Sequence, residues 1–214
     1  MNLEKYIDHT LLKPEAQKKD IEKLCREAVK YDFYAVCVNS CYVSLCKKIL
    51  LKSNVKIASV IGFPLGACMT DIKASEARHA VTEGADEIDM VIHIGALKDH
   101  DDEYIVRDIK SVVDAAEGKT IKVIIEACLL TEEEKIRACR LSEEAGAHFV
   151  KTSTGFSTGG ADIKDIELMK KTVVNRLKVK ASGGIRSKND ALAMIHAGAN
   201  RIGTSSGIKI VTSN

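Results

Sequence analysis

The order of apolar runs along this chain predicts an α/β fold, a single (β/α)8 TIM barrel, and three observations carry the prediction. Eight short β-like runs alternate with amphipathic helical segments. Three of the strands are preceded by the same glycine-containing turn at the same distance. The 214 residues are enough for one barrel with few insertions and too few for two ordinary domains, so residues 1–214 are expected to form one domain.

The β-like runs lie at 6–11, 34–39, 56–63, 87–92, 121–127, 148–153, 177–182 and 201–204. Strict alternation with helices implies parallel strands joined by right-handed crossovers, and eight such units close into a barrel. Thr131 and Glu134 form a capping box that opens a helix, and Gly146 suits the position just past its end. Ser187 caps another helix, which stops before Gly198.

The repeat reads Glu83-Gly84-Ala85, Ala145-Gly146-Ala147 and Ala197-Gly198-Ala199, ahead of strands four, six and eight. Five residues past each glycine stand Asp89, Lys151 and Gly203. Asp32 takes the glycine's place before strand two, and five past it is Cys37. These four positions are expected at one height on alternate strands, as in the four-residue layers of barrel interiors. Mostly apolar residues flank Asp89, Lys151 and Cys37, so period two turns the flanks toward the helices and the three residues toward the axis. The same parity puts Glu87, Phe149 and Arg201 one layer lower and predicts a buried Glu87–Arg201 pair.

Composition excludes several function classes. The chain is 45% hydrophobic and 29% charged, which fits a globular protein rather than a disordered one. A formal charge of only +2, no long basic run and no tryptophan speak against nucleic-acid binding. The N-terminal residues lack a signal-peptide-like apolar stretch, and no run is long enough to span a bilayer, so no membrane partner is expected. Seven cysteines without a C-x-x-C pair point to free thiols in a reducing cytoplasm. Glu126, Cys128 and His93 match no metal site in spacing or ligand set, so no metal and no cofactor is expected.

The chemistry centres on lysines. Lys151 and Lys180 both alternate inward on neighbouring strands, where burying an ammonium is unfavourable. Two cations in one barrel mouth repel, and one is expected to lose its proton. A neutral amine is what Schiff-base formation with a carbonyl compound requires. Asp89 offers a carboxylate for proton transfer, and Asp8 is a second candidate, with an ordinary loop carboxylate as its alternative. Cys37 is expected to face the pocket, without a histidine partner to make it a nucleophile. Gly183-Gly184-Ile185-Arg186 and Gly203-Thr204-Ser205-Ser206-Gly207 follow strands seven and eight, the usual phosphate site of this barrel.

At these residues the chain resembles the deoxyribose-phosphate aldolases, a family of class I aldolases. The resemblance runs from Ile7-Asp8-His9-Thr10-Leu11-Leu12 to the loop ending at Gly207. It is strongest in Glu87-Ile88-Asp89-Met90-Val91, in Phe149-Val150-Lys151-Thr152-Ser153-Thr154-Gly155 and in Val179-Lys180-Ala181-Ser182-Gly183-Gly184-Ile185-Arg186. The resemblance implies a catalytic domain in which Lys151 forms the Schiff base and Lys180 and Asp89 move protons. It further implies that Asp8 meets substrate hydroxyls, that Cys37 and Thr154 belong to the substrate pocket, and that Gly183, Gly184, Gly203, Ser205 and Ser206 hold phosphate. The implied reaction is reversible cleavage of 2-deoxy-D-ribose 5-phosphate to acetaldehyde and D-glyceraldehyde 3-phosphate, with only small molecules as partners and a homo-oligomer left open.

Two departures bear on that expectation. Phe156 stands where some members carry a phosphate-holding lysine, and Thr212-Ser213-Asn214 stands where some end in a tyrosine that reaches the site. The rivals are a sugar-phosphate isomerase, which would not need two inward lysines, and a sugar-phosphate-binding barrel without catalysis.

Overall fold

The computed structural model describes residues 1–174 and 176–213; Asn214, the last of the departures noted above, lies outside them. Eight parallel strands close into a barrel in sequence order: β1 (Ile7–Leu11), β2 (Ala35–Asn39), β3 (Lys56–Ile61), β4 (Glu87–Val91), β5 (Thr120–Ile124), β6 (Phe149–Lys151), β7 (Lys178–Ser182) and β8 (Arg201–Thr204). The described helices are α1 (Lys18–Lys30), α2 (Val43–Leu50), α3 (Thr70–Thr82), the short α4 (Ile94–Lys98), α5 (Asp102–Ala115), α6 (Glu132–Glu144), α7 (Ile163–Val173), α8 (Lys188–His196) and α9 (Gly207–Thr212).

The helix ends follow the local chemistry. Thr131 Oγ1 accepts from the Glu134 backbone N–H while the Glu134 carboxylate accepts from Thr131 N–H, so α6 starts on a reciprocal cap. Ser187 and Asp190 do the same for α8. Gly84, Gly146 and Gly198 take φ of +112°, +85° and +117° where each chain leaves its helix. Asp32 adopts φ +52° at the matching place before β2, so it substitutes for the glycine in conformation as well as in spacing.

Three strands stop two or more residues short of their β-like runs. The run at 56–63 ends at Ile61 because Gly62 turns with φ +57°. The run at 121–127 ends at Ile124; Glu126 adopts a left-handed conformation and Ala127–Leu129 form a single 3-10 turn. The run at 148–153 keeps only Phe149–Lys151 as strand.

Strand register places the predicted layer. Cys37 pairs with Ala58, and Asp89 pairs with Val60, two residues further along β3. The same two-residue step separates Asp89 from Lys151, Lys151 from Gly203, and Gly203 from Cys37. Cys37, Asp89, Lys151 and Gly203 are therefore equivalent positions on the even strands of an evenly staggered barrel. Their neighbours Val36, Val38, Ile88, Met90, Val150 and Ile202 are buried in the apolar layer shared with the helices. Inside the barrel, a smaller apolar cluster of Leu12, Cys37, Ala58 and Val60, with Phe63 against it, fills the side of β2 and β3. Beside it the interior holds a set of buried charged side chains, with Phe149 among them.

Candidate active site

The charged interior is one connected network. Lys151 Nζ lies 2.9 Å from Asp89 Oδ2, and Lys180 Nζ lies 2.8 Å from the same oxygen. Lys180 also meets Asp8 Oδ2 at 2.5 Å. The other Asp8 oxygen accepts from Arg201 Nη1 at 2.9 Å, and that nitrogen is 3.4 Å from Glu87 Oε2. Lys122 Nζ closes the circuit, 2.5 Å from Glu87 Oε2 and 2.7 Å from Asp89 Oδ1. Three carboxylates and three cations alternate around this ring, and Lys151 is attached to it as a fourth cation.

The predicted Glu87–Arg201 pair is buried, as parity required, and it is part of the larger ring. The Arg201 guanidinium stacks 3.4 Å from the centre of the Tyr34 ring. Gly203 leaves the space that the Lys180 stem occupies: a Cβ there would come within 3.0 Å of Lys180 Cε and 2.9 Å of Ser182 Cβ.

Burial would drive these groups neutral, and their partners outweigh it. Burial pushes the Asp8 carboxyl up, but Lys180 and Arg201 overcome this and hold it at about 2. Asp89 is likewise held well below the usual carboxylate range against burial, by Lys122, Lys151 and Lys180. Burial pulls the Lys180 ammonium down, and Asp8 and Asp89 more than restore it, so it is raised above the ordinary lysine range. Lys122 is raised in the same way, with Asp89 and Glu87 prevailing over burial.

A cavity of about 390 Å³ opens over this network at the C-terminal ends of β6, β7, β8 and β1. Lys151 lines it, and Asp89, Lys180 and Asp8 are fully buried beneath. Lys180 is therefore not in the mouth beside Lys151, as two repelling cations were expected to be, but under it and braced by two carboxylates. Asp8 is in the strand rather than in a loop, held by Lys180 and Arg201. Cys37 points inward as expected but is fully buried in the apolar cluster rather than on the cavity wall, and burial pushes its thiol up.

The glycine loops meet at the other side of the cavity. Gly183, Gly184, Gly203, Ser205 and Thr154 line it, and Ser206 does not. Ser206 is turned into the cap of α9, with its N–H on Thr204 Oγ1 at 2.9 Å. Lys13 and Arg186, both exposed, bring positive charge to the same wall. Phe156, at the departure from the family pattern, lines the wall and packs edge-on against Phe63 with ring centres 5.3 Å apart. Glu126 is the support behind Thr154: its carboxylate accepts from Thr154 N–H at 3.1 Å and from the Thr154 hydroxyl. Those two bonds hold a non-glycine residue at φ +52°.

Glu126, Cys128 and His93 do not converge. Cys128 is exposed near Ser157 and Thr158, and His93 Nδ1 caps α4 by accepting from Ala96 N–H. Among the described residues no cluster of three or more His, Cys, Asp or Glu side chains could hold a metal ion. A wider groove of about 620 Å³ between α5 and α6 is walled by surface charges of both signs, among them Asp102, Arg107, Lys110 and Glu144. It has no inward lysine.

Lys122 went unnoticed in the sequence, although Ile121 and Val123 flank it as apolar residues flank Asp89. Thr10 and Ser182 on the cavity wall stand two residues past Asp8 and Lys180 and share their inward phase, whereas Lys13, past the end of β1, has no comparable signal.

Comparison with known proteins agrees with this geometry. Residues 3–212 match the model of the DeoC/LacD family aldolases. The chain is 62% identical over 211 residues to a deoxyribose-phosphate aldolase of Finegoldia magna, covering 99% of both chains. It is 63% identical over 215 residues to one of Thermococcus gammatolerans, covering 99% of this chain and 96% of that protein. A solved tetrameric deoxyribose phosphate aldolase from Aeropyrum pernix superimposes with a TM-score of 0.92 at 38% identity, over 98% of this chain and 89% of that one. On sequence, fold and the lysine-bearing strands alike, the chain belongs to the DeoC/LacD family of aldolases.

Proposed function

We propose that residues 1–214 form one catalytic unit, a deoxyribose-phosphate aldolase that works through a Schiff base on Lys151. The observation that carries this reading is that Lys151 is the lysine of the buried network that lines the cavity. The network has one more cation than it has carboxylates, and Lys151 is the cation without a carboxylate oxygen of its own. Lys180 and Lys122 are held charged by two carboxylates each.

In the cleavage direction the free Lys151 amine adds to C1 of open-chain 2-deoxyribose 5-phosphate, and loss of water gives the iminium ion. Removal of the proton on the C3 hydroxyl lets the C2–C3 bond break, with its electron pair passing into the iminium to form an enamine. Glyceraldehyde 3-phosphate leaves. Protonation of C2 and hydrolysis of the imine then release acetaldehyde and restore the amine. The protonated imine is the electron sink for the bond cleavage.

Asp89 Oδ2 touches both lysines, so it can pass a proton between Lys151 and Lys180. The Asp89 carboxylate is a weak base, because three lysines stabilise its charge; its part is to hold Lys151 in place and conduct the proton. Asp8 acts behind Lys180, and Cys37 shapes the apolar floor. Thr154, Gly183, Gly184, Gly203 and Ser205 receive the phosphate end, with Ser206 supporting the loop from α9.

No described helix is long and apolar enough to cross a membrane, and the seven cysteines, four of them buried, are free thiols. Both fit an enzyme of the reducing cytoplasm with small molecules as its partners. The tetrameric relative makes self-association the expected state, which size-exclusion chromatography would measure. Aldehyde release from 2-deoxyribose 5-phosphate tests the function. Release undiminished by a chelator is expected; no release, or release that needs added metal, would overturn the reading.

A further inference from the structure

Lys122 and Glu87 reach neither the cavity nor Lys151 directly, yet both belong to the ring to which Lys151 is attached. Resting on the imine chemistry above, we propose that Lys122 and Glu87 are positioning residues that set, through Asp89, the pH at which Lys151 becomes a nucleophile.

The geometry supplies the route. Lys122 holds Asp89 Oδ1 at 2.7 Å, which leaves Oδ2 to divide between Lys151 at 2.9 Å and Lys180 at 2.8 Å. Lys151 therefore shares one carboxylate oxygen with a competitor, while the other oxygen is already taken. Glu87 answers the Lys122 charge from below at 2.5 Å. Without Lys122, the interior would hold three cations and three carboxylates, and protonated Lys151 would be balanced. Without the Glu87 charge, the excess of positive charge would grow from one to two, and protonated Lys151 would be disfavoured further.

The neighbouring strands bring their own titratable and charged groups to this network. β1 contributes Asp8, β2 Cys37, β7 Lys180 and β8 Arg201. The buried interior positions of β3, Ala58 and Val60, carry no charge, and Lys56 of β3 and Lys178 of β7, at the N-terminal ends of their strands, are exposed and screened by solvent. At the mouth stand Lys13 and Arg186, both exposed and screened by solvent. None of these changes when position 122 or 87 is substituted, so the two substitutions should act with opposite sign.

The test is the pH dependence of imine trapping, measured as mass gained by intact protein treated with acetaldehyde and cyanoborohydride. With no phosphate substrate present, the acid limb reports the free enzyme. For Lys122→Met the limb should move to higher pH by about one unit, a roughly tenfold slower reaction on the acid side. For Glu87→Gln it should move to lower pH by a similar amount, and Lys122→Arg, which keeps the charge, should stay near wild type. Should Lys122→Met fail to fold, the Glu87→Gln and Lys122→Arg profiles decide. Profiles that coincide with wild type, or that move in the same direction for both charge-removing variants, overturn the proposal while leaving the aldolase reading in place. Absence of trapping in the wild type removes the imine reading itself.

Discussion

Lys73 and Lys151 are both buried lysines bonded to a buried aspartate, and they are in opposite situations. Lys73, on α3, meets Asp108 of α5 at 2.6 Å and the Val91 carbonyl at 3.0 Å. Thr70 Oγ1 donates to the other Asp108 oxygen at 2.8 Å. That pair is balanced one to one, fully enclosed and hydrogen-bonded on both sides. Lys151 shares its carboxylate oxygen with Lys180, belongs to a network with an excess cation, and opens onto a cavity. Burial is common to both. On the proposed assignment, what distinguishes a nucleophile from a fastener is the lack of a counter-ion of its own, next to a space that a carbonyl compound can enter.

The contrast can be broken at either lysine. The largest effect is expected for Lys151→Ala: a fall in turnover of about a thousandfold or more, with the fold intact by circular dichroism. Lys73→Met should do the reverse. It leaves the Asp108 charge buried without its partner, so urea unfolding should show a loss of about 3–5 kcal/mol, while kcat of the folded enzyme stays close to wild type. Equal losses of activity in the two variants would erase the distinction.

Smaller effects sharpen it. If the glycine loops hold the phosphate as proposed, phosphate-free 2-deoxyribose forgoes their hydrogen bonds, and the loss of two charge-assisted bonds corresponds to about a hundredfold in kcat/KM. Acid should weaken the fold through the ring. Asp8 is held at about 2 against an ordinary 3.8, so its contribution of about 2 kcal/mol is complete above pH ~4 and is lost as pH falls toward 2. Unfolding followed between those values should show the decline, and Asp8→Asn should flatten it. The smallest change is expected for Phe156→Lys, which adds an exposed cation to the phosphate wall and should lower KM about two- to fivefold with kcat unaltered.

Much of this arrangement was legible because the barrel repeats. A fixed count from helix-ending turn to strand gave the heights of Cys37, Asp89, Lys151 and Gly203, and Asp32 proved equivalent to the glycines down to its positive φ. Period two gave their direction. The same rule turns Lys122 inward, between Ile121 and Val123, within a run that apolar content alone marks only as a strand. Lys73 also left a trace, three turns of one helix face reading Lys73, Ala77 and Ala80, all buried.

Depth was harder to read. Alternation says that Cys37, Asp8 and Lys180 point inward, but not that Leu12 and its neighbours close over Cys37 or that Lys180 lies below the mouth. Strand ends at Ile61 and Ile124 depend on backbone turns at Gly62 and Glu126, and apolar content alone overran both. The Glu126–Thr154 contact joins the loops after β5 and β6, a pairing set by the register of those two strands.

The most direct measurement is the site of covalent capture. Wild-type protein treated with acetaldehyde and borohydride should carry one added ethyl group, and peptide mapping should find it on Lys151. An ethyl group on Lys180 or Lys122, with Lys151 unmodified, would contradict the assignment of the nucleophile.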